Sequence, residues 1–304
     1  MGSARFEAVD GVLLLDKPVG ASSNAALQRA RVLLNARKAG HTGTLDPLAG
    51  GLLALTFGEA TKFSADLLDA DKCYDARLRL GTVTTTGDAE GAVTEHRPVD
   101  VSRATFEDVL ARFTGTVSQV PPMHSALKHE GRPLYRLARQ GIEVERRARP
   151  VAIRRLWTIA WDPLEPTIGV ECGKGLYVRT LAQDVGAALG CGAHLSALRR
   201  TRIGAFDLSE AIALERLEAL PVERRRERLL AIDTLLQSLP RVDLDREASE
   251  QLEHGQQVPW AAGSAQRARV YGPHGRLLGV ASVDHGLLVA RRLLSQPPAP
   301  EANR

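Results

Sequence analysis

Cysteine is too scarce and too scattered in this chain to build a framework: Cys73, Cys172 and Cys191 are odd in number, widely spaced, and form no Cys-x-x-Cys pair with matching histidines. That argues against structural zinc and for a reducing compartment, the cytoplasm. A basic segment followed by an apolar one is missing from the start, and no apolar run approaches the roughly 20 residues that span a bilayer, so no membrane association is expected. Phe6 stands where a myristoylation signal beginning at Gly2 needs a serine or threonine. Gly173-Lys174-Gly175 lacks the remainder of a Walker pattern, which argues against a nucleotide-binding enzyme, and no internal repeat is evident.

What is present is a chain of 304 residues, 44% hydrophobic and 25% charged, enough for one large domain and a smaller one. The net charge of +4 is modest, but arginine is clustered at Arg146, Arg147, Arg149, Arg154 and Arg155, at Arg199, Arg200 and Arg202, and at Arg224 to Arg226 with Arg228. Clustered guanidinium groups suit phosphate recognition. The third cluster alternates with Glu223 and Glu227 and reads as an exposed helix, which leaves the first two as candidate phosphate contacts. The segment from Gly40 to Gly51 isolates one carboxylate, Asp46, in an apolar, glycine-rich loop. Pro47 disfavours helix at Asp46, and the flanking glycines permit close backbone approach, so the loop is shaped around its acid.

Val12 to Leu15 reads as a short buried strand, followed by a helix capped by Ser22 or Ser23 with Leu27, Ala30 and Leu34 on one face. Tyr74, Ala76, Leu78 and Leu80 alternate with polar residues as in a half-buried strand, and Phe106, Leu110 and Phe113 mark an amphipathic helix from Ser102 to Phe113. Residues 117–149 lose periodicity and gain arginine, proline and glycine, the signature of an insertion expected to be mobile. Strands resume at 151–161 and 167–172, and a helix follows Arg179. Without regular βαβ alternation the fold class is α+β. A second unit is expected over 239–296, where Gly272-Pro273-His274-Gly275 and Asp284-His285-Gly286 break short apolar strands like hairpin turns in a small β-barrel; residues 297–304 read as a disordered tail.

The Gly40–Gly51 loop resembles the signature of the TruB family of pseudouridine synthases. So do Leu15-Asp16-Lys17-Pro18-Val19-Gly20-Ala21-Ser22-Ser23, Asp71-Lys72-Cys73-Tyr74, Gly173-Lys174-Gly175-Leu176-Tyr177-Val178-Arg179-Thr180 and Leu198-Arg199-Arg200-Thr201-Arg202-Ile203-Gly204, in the family's order. Pro121-Pro122-Met123-His124-Ser125-Ala126-Leu127-Lys128 is similar to a block of the bacterial branch that carries an RNA-gripping insertion, although His124 stands where many relatives have tyrosine. The resemblance covers residues 11 to about 215. It implies a mixed-sheet catalytic core over 11–238, with an insertion at about 117–149, and a PUA-like RNA-binding domain over 239–296. By the same resemblance, the enzyme isomerises a uridine, position 55, in the T-arm loop of tRNA.

Such a reaction detaches uracil from C1′, rotates it and rejoins it through C5. It needs a charge stabiliser or nucleophile, a platform for the detached ring and exclusion of water, with neither metal nor cofactor. The resemblance implies that Asp46 is the nucleophile, that Arg179 pairs with it, and that Tyr74 stacks on the base and assists proton removal from C5. It further implies a substrate-binding set of His41, Tyr177, Leu198, Lys17 and Asp88, with His41 contacting the flipped nucleotide. From pattern alone Tyr74 is a core residue, and Lys17-Pro18 reads equally as an ordinary turn or as support for the catalytic loop. Gly87 and the run Thr84 to Thr86 depart from the family's commonest wording around Asp88. The T-arm of tRNA is the expected partner of a monomer with no obligate protein partner. Two other readings remain: a tRNA-folding chaperone or RNA-binding module, and the subunit of a guide-RNA-dependent synthase, against which the 117–149 insertion argues.

Overall fold

The computed structural model describes residues 6–125, 127–260 and 266–295. A mixed sheet of ten strands forms the larger unit: β1 (Gly11–Lys17), β2 (Ala39–His41), β3 (Ala49–Phe57), β4 (Lys72–Leu80), β5 (Gly115–Gln119), β6 (Arg149–Ala160), β7 (Thr167–Cys172), β8 (Ala193–Ile203), β9 (Phe206–Asp207) and β10 (Ile212–Ala213). Its spatial order is β10-β1-β3-β8-β4-β7-β6-β5, with β2 alongside β3 and β9 alongside β8. The α+β class expected from sequence is what the chain adopts.

The two strand patterns follow from what covers each face. Every residue of β1 except Asp16 is buried, because Leu13 and Leu15 pack against Leu27 and Ala30 of helix α1 (Ser23–Leu33) while Val12 and Leu14 meet Phe63 and Leu236 on the other side. In β3, Leu53, Leu55 and Phe57 join the first of these clusters and Leu52 and Ala54 the second, hence its nearly continuous apolar sequence, broken only by Thr56. In β4 one face alone is covered. Tyr74, Ala76, Leu78 and Leu80 point into a core with Phe106 and Leu110 of α2 (Arg103–Arg112) and Leu181 and Val185 of α4 (Val178–Ala188), whereas Cys73, Asp75, Arg77 and Arg79 point away. At Gly51, φ is +98° and a Cβ would collide with the backbone of Arg200, so glycine is what allows β3 and β8 to close up beside the site.

Two boundaries differ from expectation. Residues 117–119 and 149–151 pair with each other at the edge of the large sheet, because Val117 and Val151 supply apolar side chains to it, so the excursion from the core runs over 120–148. It contains a ribbon joining Lys128–His129 to Arg132–Pro133 and helix α3 (Leu134–Arg139), held by the buried Leu134 and Leu137. Arg179, expected ahead of a helix, lies within the first turn of α4.

Near the C-terminus a second sheet has the order β11-β13-β14-β15-β12, from β11 (Arg241–Asp243), β12 (Val258–Pro259), β13 (Ala268–Tyr271), β14 (Leu277–Asp284) and β15 (Leu287–Leu293). It curls into a half-barrel of PUA-like form around Leu252 of α5 (Arg246–Glu253). Both hairpin turns appear where their glycines predict, with φ +48° at His285 and +78° at Gly286. Val280 inserts into the cluster of Leu235 and Leu236, and Arg267 pairs with Asp66 at 2.6 Å, which ties this sheet to the larger one. The expected tail at 297–304 lies outside the described residues.

Because Leu181 is 1% exposed at the seam of α4 and the sheet, Leu181→Ala is expected to lower stability by about 2–5 kcal/mol, measured by denaturant unfolding.

Candidate active site

The loop that carries Asp46 is fixed from beneath. Ser22 caps α1 by accepting from the Ala25 amide, and the buried Ser23 hydroxyl accepts from the Leu45 amide at 2.8 Å and faces the Leu45 carbonyl at 2.9 Å. Gly20 donates its amide to the Pro47 carbonyl at 2.7 Å, and Ala49 donates to that of Asp46 at 3.0 Å. The Lys-Pro turn and the catalytic loop therefore share backbone bonds. Lys17 holds that turn: fully buried, its ammonium donates to the carbonyls of Pro18 and Ala21. Burial pushes its pKa down to about 8, against the attraction of Asp46. Lys17, expected as a substrate contact, is placed under the loop with its charge on backbone carbonyls, and it lines neither of the two cavities at Asp46.

Arg179 is the hub. Its Nη2 lies 3.0 Å from Asp46 Oδ2 and donates to the His124 carbonyl at 2.8 Å; its Nε lies 3.4 Å from Asp88 Oδ2, and its Nη1 donates to the Thr86 carbonyl at 3.4 Å. The guanidinium is thus divided between two carboxylates instead of clasping Asp46 with both arms. Exposure separates the two acids: the side chain of Asp46 is 42% exposed and that of Asp88 4%. Asp88 also accepts from the Thr86 hydroxyl and the Glu90 amide, and its turn is pinned to β8 by bonds between Gly87 and Leu195 and between Ala89 and Leu195. Asp88, expected among the substrate contacts, anchors Arg179 and also borders the larger of the two cavities at Asp46.

Two cavities meet at Asp46. The smaller, of about 320 Å³, is lined by Lys72, Tyr74, Tyr177, Leu198 and Arg200 together with Asp46 and Arg179. The larger, of about 540 Å³, is lined by His41, Ser23, Asp88, Glu90, Tyr135 and Arg139, the last two from the excursion. The six residues Asp46, Tyr74, Arg179, His41, Tyr177 and Leu198 therefore converge, with His41 on the outer side. Burial pushes the pKa of the Tyr74 and Tyr177 phenols up and that of the His41 imidazole down, so these three rings are neutral near pH 7. Glu90 is raised by burial and by the neighbouring charges of Asp88 and Asp46.

Sequence reasoning passed over Ser23, Lys72 and Arg200 as individual site residues, although all three lie in the blocks that carry the resemblance. Lys72 is buried, with its ammonium on the carbonyls of Leu68 and Ala70. The second arginine cluster is divided: strand alternation sends Arg200 inward, whereas Arg199 and Arg202, the latter after a bulge, pair with Asp16 at 2.8 Å and Glu171 at 2.5 Å on the open face. In the first cluster Arg146 is engaged by the carbonyls of Val144 and Pro121, whereas Arg147 and Arg149 are exposed.

Residues 31–178 match the model of the TruB family pseudouridylate synthase N-terminal domain, residues 179–240 that of the tRNA pseudouridylate synthase B C-terminal domain, and residues 240–294 that of pseudouridine synthase II TruB, C-terminal. The chain belongs to the TruB family. It is 56% identical over 290 residues to a TruB-family protein named tRNA pseudouridine synthase B from Dechloromonas aromatica, covering 95% of this chain and 97% of that one. To a protein of the same name from Burkholderia lata it is 54% identical over 292 residues, covering 94% and 90%. Among solved structures, a chain from a Cbf5-Nop10-Gar1 complex superposes with a TM-score of 0.70 at 26% identity, over 92% of this chain and 78% of that one. A chain from an H/ACA RNP bound to a substrate RNA shares the fold at a TM-score of 0.72 and 22% identity, over 94% and 85%. In this TruB-family member no cluster of metal-ligating side chains occurs among the described residues, and no described helix is long and apolar enough to cross a membrane.

Removing Asp88 would leave the buried face of Arg179 without its anion, so Asp88→Ala is expected to cost about 3 kcal/mol in denaturant unfolding, whereas the exposed ion pair of Arg103 with Glu107 should tolerate Glu107→Ala within about 0.5 kcal/mol.

Proposed function

We infer that this chain is a tRNA pseudouridine synthase that converts a uridine of the T-arm loop, position 55, into pseudouridine. The observation that carries the reading is the Arg179–Asp46 ion pair at the mouth of a cavity that Tyr74 and Leu198 help to line. The names of the relatives from Dechloromonas and Burkholderia supply the tRNA substrate.

The geometry supports a division of labour. A uridine within a folded loop must leave its stack to reach a recessed acid, and the larger cavity with His41 offers space for the displaced nucleotide beside the opening. The Asp46 carboxylate, held in place by Arg179, attacks at C1′ or at the pyrimidine, and the C1′–N1 bond breaks. Tyr74, Tyr177 and Leu198 present a largely apolar lining within which a detached ring can turn without a preferred hydrogen-bonding orientation. After C1′ joins C5, the C5 proton leaves and the product departs. Substrate and product are isomers, so neither oxidant nor reductant enters the balance. The excursion at 120–148 closes one side of the larger cavity through Tyr135 and Arg139 and carries the exposed Arg147, which suits a stand-alone enzyme gripping RNA itself. The reading extends to a cytoplasmic monomer composed of a catalytic domain over 11–238 and an RNA-binding PUA-like domain over 239–296.

Tritium release from a T-arm stem-loop carrying uridine labelled at C5 tests the assignment. Wild type is expected to release tritium without added metal or cofactor, and Asp46→Asn to release none while binding the RNA within a few-fold of wild type. Turnover by Asp46→Asn, after deamidation is ruled out by mass spectrometry, would sink the mechanism. A second experiment addresses the grip: replacing Arg147 and Arg149 together with glutamine is expected to weaken RNA binding and flatten the slope of log K against log salt by roughly one to two units.

A further inference from the structure

Arg200 heads the large side chains that the fold buries fully, with 1% of its surface exposed. Nε donates to the Leu52 carbonyl at 2.7 Å, whereas Nη2 is sealed from solvent and has no hydrogen-bond partner among the described residues. Its neighbours Arg199 and Arg202 each face a carboxylate, Asp16 and Glu171; none of the ion pairs among the described residues includes Arg200. An arginine stays protonated when buried, so the fold carries an uncompensated cation at a position where an apolar residue of similar volume would be easier to accommodate. Packing alone does not explain it.

The position does. Arg200 stands directly opposite Tyr74 in the antiparallel pairing of β8 with β4, so both side chains share a face, and both line the smaller cavity beside Asp46. Burial disfavours the Tyr74 phenolate, and the charge of Arg200 favours it. From the other elements packed around the phenol come Cys172 of β7 and Asp46 of the loop, both of which disfavour the phenolate. The Cys172 thiol is itself pushed up to about 12 by burial and stays neutral, and the ammonium of Lys72, on the same strand as Tyr74, is held by two carbonyls. Arg200 is thus the cation built against this tyrosine.

We propose that Arg200 is a positioning residue for the proton transfer that ends the isomerisation: buried opposite Tyr74, it orients the tyrosine oxygen toward the cavity and supports it as the acceptor of the C5 proton. In that step the phenol of Tyr74 first gives its proton to water; the C5–H bond then breaks, its electron pair forms the C5–C6 double bond while the C6–N1 π pair moves to N1, which takes a proton from water, and the C5 proton passes to the phenolate oxygen, restoring the phenol. The inference rests on the pseudouridine synthase reading of the site and adds the residue that makes Tyr74 competent as a base.

The test compares wild type, Arg200→Met and Arg200→Lys in single turnovers of a T-arm stem-loop bearing protium or deuterium at uridine C5, from pH 6 to 10. Arg200→Met is expected to slow isomerisation about tenfold or more at pH 7, to recover as the pH rises, and to enlarge the C5 isotope effect; Arg200→Lys restores most of the rate. A pH-independent loss with an unchanged isotope effect overturns the proposal, since a packing defect would produce that pattern. Should Arg200→Met fail to fold, Arg200→Gln, which keeps a donor for the Leu52 carbonyl, makes the same comparison. Ultraviolet titration of the phenol, read as wild type minus Tyr74→Phe, needs no turnover: the Tyr74 midpoint is expected to rise by about one pH unit or more without the cation. An unmoved midpoint overturns the role of Arg200, whereas absence of isomerisation by wild type overturns the functional reading separately.

Discussion

The guanidinium of Arg179 joins parts of the chain that lie far apart in sequence, the loop at Asp46, the turn at Thr86 to Asp88 and the start of the excursion at His124, and nearly every feature of the site follows from how it is shared. An arginine cannot shed its proton, so burying it obliges the fold to supply acceptors. Asp88 and two carbonyls supply them from within, which leaves the pairing with the half-exposed Asp46 as the one that a substrate can approach. The Asp46 carboxylate is thus held by a cation at a cavity mouth without being sealed off. The placement of Arg179 in the first turn of α4, anchored through Leu181 and Val185, makes the arrangement as rigid as the core itself.

Positive charge is distributed by a different logic in each part of the molecule. Lys17, Lys72 and Arg200 are all buried around the site, and Lys17 and Lys72 are satisfied by backbone carbonyls. They lend the pocket a positive setting without offering exposed groups to phosphate. Arg199 and Arg202 are neutralised by carboxylates on the open face of the sheet. The excursion and its return to the sheet carry Arg147 and Arg149, exposed and without an ion pair among the described residues, as guanidinium groups open to a phosphate backbone.

How much of this was legible depended on the range over which the determining physics acts. The alternation of Tyr74, Ala76, Leu78 and Leu80, the Ser22 cap and the glycine turns at 272–275 and 284–286 are local, and they appear as read. The motif blocks also brought Asp46, Arg179, Tyr74, His41, Tyr177 and Leu198 to one place. What sequence could not separate was contact from support. Lys17 turns back onto the carbonyls of its own turn, and Asp88 borders a cavity while holding a guanidinium from a distant segment, and no spacing rule predicts those bonds. The cluster at Arg199, Arg200 and Arg202 shows a related effect: alternation turns Arg200 inward and a bulge between Arg200 and Arg202 returns Arg202 to the face of Arg199, so proximity along the chain does not by itself make a patch. The edge pairing of 117–119 with 149–151 spans the whole excursion and was invisible to any short window.

The order of the large sheet has a consequence for how the molecule comes into being. Strand β8, residues 193–203, inserts between β3 and β4, which end by residue 80, so the middle of the sheet is filled by a segment synthesised more than a hundred residues after its neighbours. Until it arrives, β3 and β4 each present an unpaired edge beside strongly apolar faces, the kind of surface that invites strand addition by another chain. The same insertion delivers Leu198 and Arg200, so the pocket is complete only when the sheet is closed. A nascent chain therefore acquires its RNA site late and in one cooperative step, and a high proportion of long-range contacts makes that step slow. The topology thus defers completion of the pocket until the sheet is closed.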